Sequence, residues 1–308
     1  MAKVNKAKYY TFFEFNLNIK SEISLSLPIC ENKPLDTDIE IIRENSIPFP
    51  NANNRFGNCF GDQSAYYYLK EHLFIAKICE GKKIFVQLLS DIDEEVLSNM
   101  VLNIPLGYCL YQKSKFVLHG SGFKKENDAV LFLGESGSGK SSLVASLMGS
   151  GEVLSEDFCY IDFDKNGNSL VNPFLPFIKL EKESNLGFKD NFVNIIDIPH
   201  DKRKRAYYYF QKVNPRLKSK IKCIYLLKWG DQFRIYKPDI KELFSFLNLC
   251  AFTCYPLNSC TNSSKLLFKN ITQLAKNTNF FVLERNKDEF FANNSALLEH
   301  ISDCPEFI

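Results

Sequence analysis

Apolar and polar positions alternate through the first third of the chain. Tyr10, Phe12, Phe13, Phe15, Leu17 and Ile19 come close to alternation, and Ile23, Leu25 and Leu27 alternate strictly. Residues 9–28 are therefore expected to be extended. Asp38–Arg43 reads as another strand. A loop marked by Pro48, Pro50, Asn51, Asn53 and Asn54 follows. The runs at 66–69, 73–78 and 83–88 then continue the pattern as a small, largely antiparallel sheet. Beyond it the period lengthens. Val96, Met100, Ile104 and Tyr108 fall four apart, which predicts a helix between Asp91 and Lys113 that Pro105 kinks or splits. This helix is read as the bridge between a β-rich domain of residues 1–113 and a second domain of residues 114–308.

In the second domain, Phe116–Gly120 and Ala129–Leu133 flank a charged turn and predict a hairpin. A helix is expected over Ser142–Met148, stopped by Gly149, Ser150 and Gly151. Asp162, Asp164 and residues 166–168 read as a hairpin turn. Pro173 and Pro176 bracket a loop, and residues 177–180, 206–210, 223–227 and 279–284 read as strands. Helical faces appear over 239–252, 264–276 and 294–301. There is no internal repeat, low-complexity tract or linker.

One stretch carries chemistry. Gly134-Glu135-Ser136-Gly137-Ser138-Gly139-Lys140-Ser141 follows an apolar strand and precedes a helix, with Ser142 opening that helix. This is the spacing of a phosphate-binding P-loop. Glycines let successive N–H groups converge on one anion, and the helix adds its unpaired N–H groups and the positive end of its dipole. Lys140 would reach the β and γ phosphates of a nucleotide, and the Ser141 hydroxyl would ligand Mg²⁺.

Composition narrows the partners. The 308 residues are 45% hydrophobic and 24% charged, which is globular, and the net charge of +2 points to neither nucleic acid nor a membrane surface. No signal peptide opens the sequence, no apolar run is long enough to span a bilayer, and the ten cysteines sit mostly in apolar surroundings. Reduced thiols and a cytoplasmic location are expected. Cys250, Cys254 and Cys260 lack the paired spacing of a zinc site.

Glu156 and Asp157 stand at the end of a short apolar strand, 17 residues after Lys140 in the case of Asp157. By themselves they are a solvated strand end; beside a P-loop they suit a metal site and a catalytic base. Two acids so soon after the loop do not suit a transporter-type ATPase. The hairpin puts His119 on the strand beside the phosphate site, although a lone His is more often a packed or surface residue. The basic run Asp201–Arg205 reads as a solvated loop, or as the source of a cation, Arg203 or Arg205, that offsets charge during transfer.

Together, His119-Gly120, the loop at 134–141 and Ser155-Glu156-Asp157 resemble the catalytic domain of the HPr kinase/phosphorylase family. The chain is more similar still to the HPr-kinase-like proteins of bacterial peptide-maturation gene clusters, which carry an N-terminal β-rich domain. The phrases Phe15–Leu25, Asp38–Ile41 and Asn45–Pro48, and the run Lys202–Arg205 followed by Cys223–Leu227, resemble that group. The resemblance implies an α/β (α+β) fold like that of phosphoenolpyruvate carboxykinase, with a mixed sheet around the P-loop. It implies ATP and Mg²⁺, and phosphorylation of a protein or peptide hydroxyl, usually serine, with a short precursor peptide among the candidate substrates and homo-oligomers among the candidate assemblies. It assigns phosphate and Mg²⁺ to Lys140 and Ser141. Asp157 takes the place of the second acid of the family's pair, and His119 that of its histidine. Glu156 departs from the first acid of the pair, and Ser142 stands where bifunctional enzymes have Glu. The HPr enzyme's own signature region is missing, which argues against HPr as substrate and against phosphorylase activity. A small-molecule hydroxyl kinase and an ATP-binding regulator without transfer remain alternatives.

Overall fold

The computed structural model describes residues 7–12, 17–27, 29–30, 34–48, 60–61, 64–68, 73–173, 175, 177–182, 192–199, 201, 203–210, 218–251, 261–289 and 292–305. The chain divides into two compact units. The first runs to Lys115, with residues 255–263 counted with it; the second comprises residues 116–254 and 264–308.

In the first unit, β1 (Lys8–Phe12), β2 (Leu17–Ser21), β3 (Ile39–Arg43), β4 (Phe60–Gly61), β5 (Ser64–Tyr68), β6 (Phe74–Cys79) and β7 (Lys83–Leu88) form one sheet. Its order is β1-β2-β3-β7-β6-β5-β4. Both pairings of β3 are parallel and the rest are antiparallel, so the sheet is mixed. Parallel neighbours need a long crossover, and residues 22–38 supply one between β2 and β3. The expected strand at 23–27 does not form. Ile23 and Leu25 are buried, as their alternation requires, but side chains take the place of a ladder. Ser21 Oγ accepts from the Ile23 N–H at 3.0 Å, the Tyr10 hydroxyl from Leu25 at 3.1 Å and Ser98 Oγ from Ser26 at 2.7 Å. The helical stretch that follows is split at Asn103 into α1 (Glu94–Leu102) and α2 (Ile104–Gln112). Pro105 falls in the first turn of α2, where no N–H is needed. Phe13, Phe15 and the loop at 49–59 lie outside the described residues.

The second unit contains β8 (Phe116–Lys125), β9 (Asp128–Leu133), α3 (Lys140–Ser146), β10 (Glu152–Ser155), β11 (Phe158–Phe163), β12 (Ser169–Asn172), β13 (Phe177–Glu181), β14 (Phe192–Asp197), β15 (Arg205–Phe210), β16 (Ser219–Trp229), β17 (Arg234–Tyr236), α4 (Ile240–Cys250), α5 (Thr261–Lys276), β18 (Asn279–Arg285) and α6 (Asn294–Asp303). The strands β9, β16 and β18 run parallel, and β8 returns antiparallel to β9 as the expected hairpin. The antiparallel strands β10, β11, β12 and β17 complete a mixed sheet, while β13, β15 and β14 form a separate antiparallel one. Both faces of the larger sheet are covered. Val130, Phe132, Tyr225 and Leu227 pack with Leu143 and Val144 of α3, Leu297 of α6, and Ile178, Leu180 and Tyr208 of the smaller sheet. Leu131, Leu133, Ile224 and Leu226 pack with Leu247 of α4 and Ile271 and Leu274 of α5. That is why Ala129–Leu133 of β9 and Cys223–Leu227 of β16 read as unbroken apolar runs. The strands β14 and β17 escape the pattern: Val193 and Ile195 of β14 are exposed, so it has no buried face to alternate.

Candidate functional site

The loop at 134–139 leaves the C-terminal end of β9 beside the ends of β16 and β18, the edge where parallel sheets hold ligands. Gly139, with φ of 81°, turns the chain into α3 in a conformation most side chains resist. At Gly134 a Cβ would stand 2.6 Å from Ser138 Oγ and 3.2 Å from the Leu227 carbonyl oxygen. The loop's oxygens are largely engaged. Lys140 Nζ donates to the Gly134 and Glu135 carbonyls at 2.8 and 3.0 Å, and the Leu143 N–H to that of Gly139 at 2.9 Å. Glu135, Ser136 and Gly137 are exposed, whereas Ser138 is buried and its hydroxyl has no partner among the described residues. Ser142 lies half-buried on the first turn of α3. Burial pushes the Lys140 ammonium below its ordinary pKa. A buried cation, an orphaned hydroxyl and engaged carbonyls all fit a phosphate chain.

The two acids occupy a gap in a single strand path. Both β10 and β11 pair with β8, with Ser155 opposite Gly122 and Phe158 opposite His119. The intervening residues therefore face Ser121 and Gly120 without a slip in register. The chain makes a three-residue turn here: the Phe158 N–H donates to the Glu156 carbonyl at 2.7 Å, and Asp157 between them has φ of 62°. Positive φ is uncommon outside glycine, though Asp tolerates it better than most.

Glu156 is buried, and its two oxygens accept from two hydroxyls. Ser121 donates to Oε2 at 2.8 Å, and Ser141 donates to Oε1. Burial, followed by the charge of Asp157, pushes this carboxyl up to about 7. Asp157 is paired with the Lys179 ammonium of β13. Its carbonyl oxygen accepts from His119 Nδ1 at 2.9 Å and from the Gly120 N–H at 3.2 Å. A carbonyl can only accept, so Nδ1 carries the hydrogen and Nε2 is left with the lone pair. Burial, and then the nearby Lys140 charge, push His119 below its usual pKa, which favours that neutral form.

Mg²⁺ fits these donors. Hydroxyl and carboxylate oxygens are hard ligands, and a buried carboxylate touched by two neutral hydroxyls lacks the positive charge a dication would bring. Among the described residues no three His, Cys, Asp or Glu side chains cluster as a metal site. The protein would thus offer two or three oxygens and leave the rest of the shell to phosphate and water.

The structure brings Ser141, Glu156, Asp157 and His119 into one contiguous set, with Lys140 next to Ser141 in the chain and its ammonium on the loop carbonyls. The basic run divides. Lys202 lies outside the described residues, and Arg203 is exposed on the turn before β15. Arg205 is bound to Asp201, with Nε at 3.1 and 3.0 Å from its two carboxylate oxygens. Burial works against the Arg205 charge, but those bonds outweigh it and raise its pKa. Pattern reading missed Ser121 and Lys179. Ser121 follows from the register of β8 once Glu156 is a candidate, since the two face each other. Lys179 is brought in by the smaller sheet, and no local signal marks it.

No protein-family model matches the chain, and no curated protein matches it. Among solved structures it is similar to the Hpr(Ser) kinase/phosphatase from Coxiella burnetii, at 11% sequence identity and a TM-score of 0.29, over 60% of this chain and 95% of that one. A likeness at that score does not establish a shared fold. Among the described residues no helix is long and apolar enough to cross a membrane.

Proposed function

We propose that the chain is an ATP-dependent kinase that passes the γ-phosphate to a hydroxyl, that of a serine in a protein or peptide. The observation that carries the reading is the contact between Ser141, on the first turn after the glycine loop, and the buried Glu156. It joins a phosphate cradle to an acid pair, the combination that phosphoryl transfer uses. The choice of serine on a polypeptide follows the sequence resemblance, whereas the geometry supports transfer to a hydroxyl in general.

Lys140 would leave the loop carbonyls for the phosphates. Ser141 and Glu156, with Asp157 beside them, would hold Mg²⁺, which when bound offsets phosphate charge. Asp157, steadied by Lys179, would orient the acceptor hydroxyl. His119 Nε2 would take that hydroxyl's proton as its oxygen bonds to phosphorus and the bond to ADP breaks. Lys179 takes over the cationic role expected of Arg203 or Arg205, because it touches Asp157 while Arg205 is committed to Asp201. A regulator that binds ATP without transfer is favoured by one observation: the same ion pair occupies a carboxylate oxygen of Asp157 that would otherwise face the metal or the acceptor.

The test is transfer of label from γ-labelled MgATP into a fractionated extract of the source organism. Label in a polypeptide band, lost in Lys140→Ala and Asp157→Asn, is the expected result. Label in a metabolite fraction would move the assignment to a small-molecule kinase. Nucleotide binding without any label would leave the regulator.

A further inference from the structure

Two side chains outside the glycine loop grip its backbone. Trp229, the last residue of β16, donates Nε1–H to the Gly137 carbonyl at 3.1 Å. Arg285, the last residue of β18, donates Nη2–H to the Ser138 carbonyl at 2.7 Å. The guanidinium carbon lies 5.0 Å from the indole centroid and Lys287 Nζ lies 5.6 Å from it, so the two donors also hold each other. Arg285 is only 4% exposed. A guanidinium is costly to bury, and here one of its N–H groups is given to a loop oxygen and its plane to a ring face.

The direction of these bonds matters. In a trans peptide the N–H and C=O point opposite ways. Holding the Ser138 oxygen against Arg285 turns the Gly139 N–H to the other side. Holding the Gly137 oxygen against Trp229 turns the Ser138 N–H inward, where it donates to the Glu135 carbonyl at 3.1 Å. With the Gly137 and Ser138 oxygens held by Trp229 and Arg285, two of the loop's carbonyls are kept off the space an anion would fill, whether or not Lys140 stays on the Gly134 and Glu135 oxygens.

We propose that Trp229 and Arg285 are positioning residues of the phosphate loop. They hold two carbonyls outward so that a polyphosphate chain meets N–H groups rather than oxygen lone pairs. The proposal rests on the nucleotide reading above. It assigns the pair to the phosphate chain and not to the base.

The test is calorimetric titration of the full chain with MgATP and with magnesium tripolyphosphate. Trp229→Phe keeps a ring and deletes the N–H; Arg285→Lys is the second variant and carries the comparison if the first does not fold. The expected result is binding of both ligands by the wild type, and a similar loss, about five- to tenfold, for both ligands in each variant. Trp229 is the sole tryptophan, so its emission in the wild type should also shift with either ligand. Wild-type affinity retained in both variants would overturn the proposal. So would a loss confined to ATP, which would make the indole a surface for the base. If the wild type binds neither ligand, the nucleotide reading itself fails and takes the proposal with it.

Discussion

The ammonium of Lys179 lies on the carboxylate of Asp157, although Lys179 stands on the smaller sheet and Asp157 in the turn between β10 and β11 of the larger one. Both side chains are mostly buried, at 17% and 16% exposure, so the pair is not a screened surface contact. It puts a cation beside the acid expected to face the acceptor. Lys179→Met should lower turnover by about a hundredfold while leaving the Michaelis constant for MgATP within about threefold. Thermal unfolding should show a loss of up to about 3 kcal/mol that Asp157→Asn in the same chain partly restores. Additive losses in the double variant would show that the pair is not coupled.

Glu156 gives a pH signature in metal-free protein. Its carboxyl is raised to about 7, so the folded chain holds that proton more tightly than the unfolded chain. The stabilisation is complete below the unfolded value of about 4.5 and is lost as pH rises through about 7. Glu156→Gln does not titrate. Relative to wild type it should gain stability between pH 5 and 8, by on the order of 2–3 kcal/mol. Added Mg²⁺ should recover stability at pH 8 in the wild type more than in the variant. Parallel melting curves for the two proteins across that range would count against a buried, raised carboxyl.

Gly134 is fixed by space rather than by φ. Gly134→Ala forces a methyl against Ser138 Oγ at 2.6 Å and the Leu227 backbone at 3.2 Å. The loop should shift and MgATP affinity should fall at least about tenfold, with a stability cost of about 1–3 kcal/mol. Calorimetry and thermal melts read the two effects separately.

In the first unit, the Tyr10 hydroxyl accepts from the Leu25 N–H at 3.1 Å within a buried site. Tyr10→Phe strands that amide and should cost about 1–3 kcal/mol. A neutral result in chemical denaturation would mean that residues 23–27 find another acceptor.

What could be read from the sequence followed from local physics. The apolar runs of β9 and β16, the Gly-rich turn into α3, the hairpin at 116–133 and the break near Pro105 each depend on residues close together in the chain. Alternation predicted paired strands at β1, β2 and β3, but over residues 23–27 it held for burial and not for pairing. Ile23 and Leu25 are inside, yet hydroxyls of Ser21, Tyr10 and Ser98 take the hydrogen bonds a strand would need. Parallel entry of β3 also left no local trace, because a crossover can deliver a strand in either direction.

The same boundary runs through the candidate site. The sequence by itself determined the glycine-rich loop, with its strand before and helix after, and pointed to two acids and a histidine near it. Tertiary structure decided how they meet. The register of β8 against β10 and β11 sets Ser121 opposite Glu156 and hangs His119 on the Asp157 carbonyl. The smaller sheet delivers Lys179, while Asp201 withdraws Arg205, and the ends of β16 and β18 bring Trp229 and Arg285 to the loop. Those contacts join residues far apart in the chain, and their geometry is set by strand pairing and by the burial of both faces of a sheet, which no short window of sequence contains.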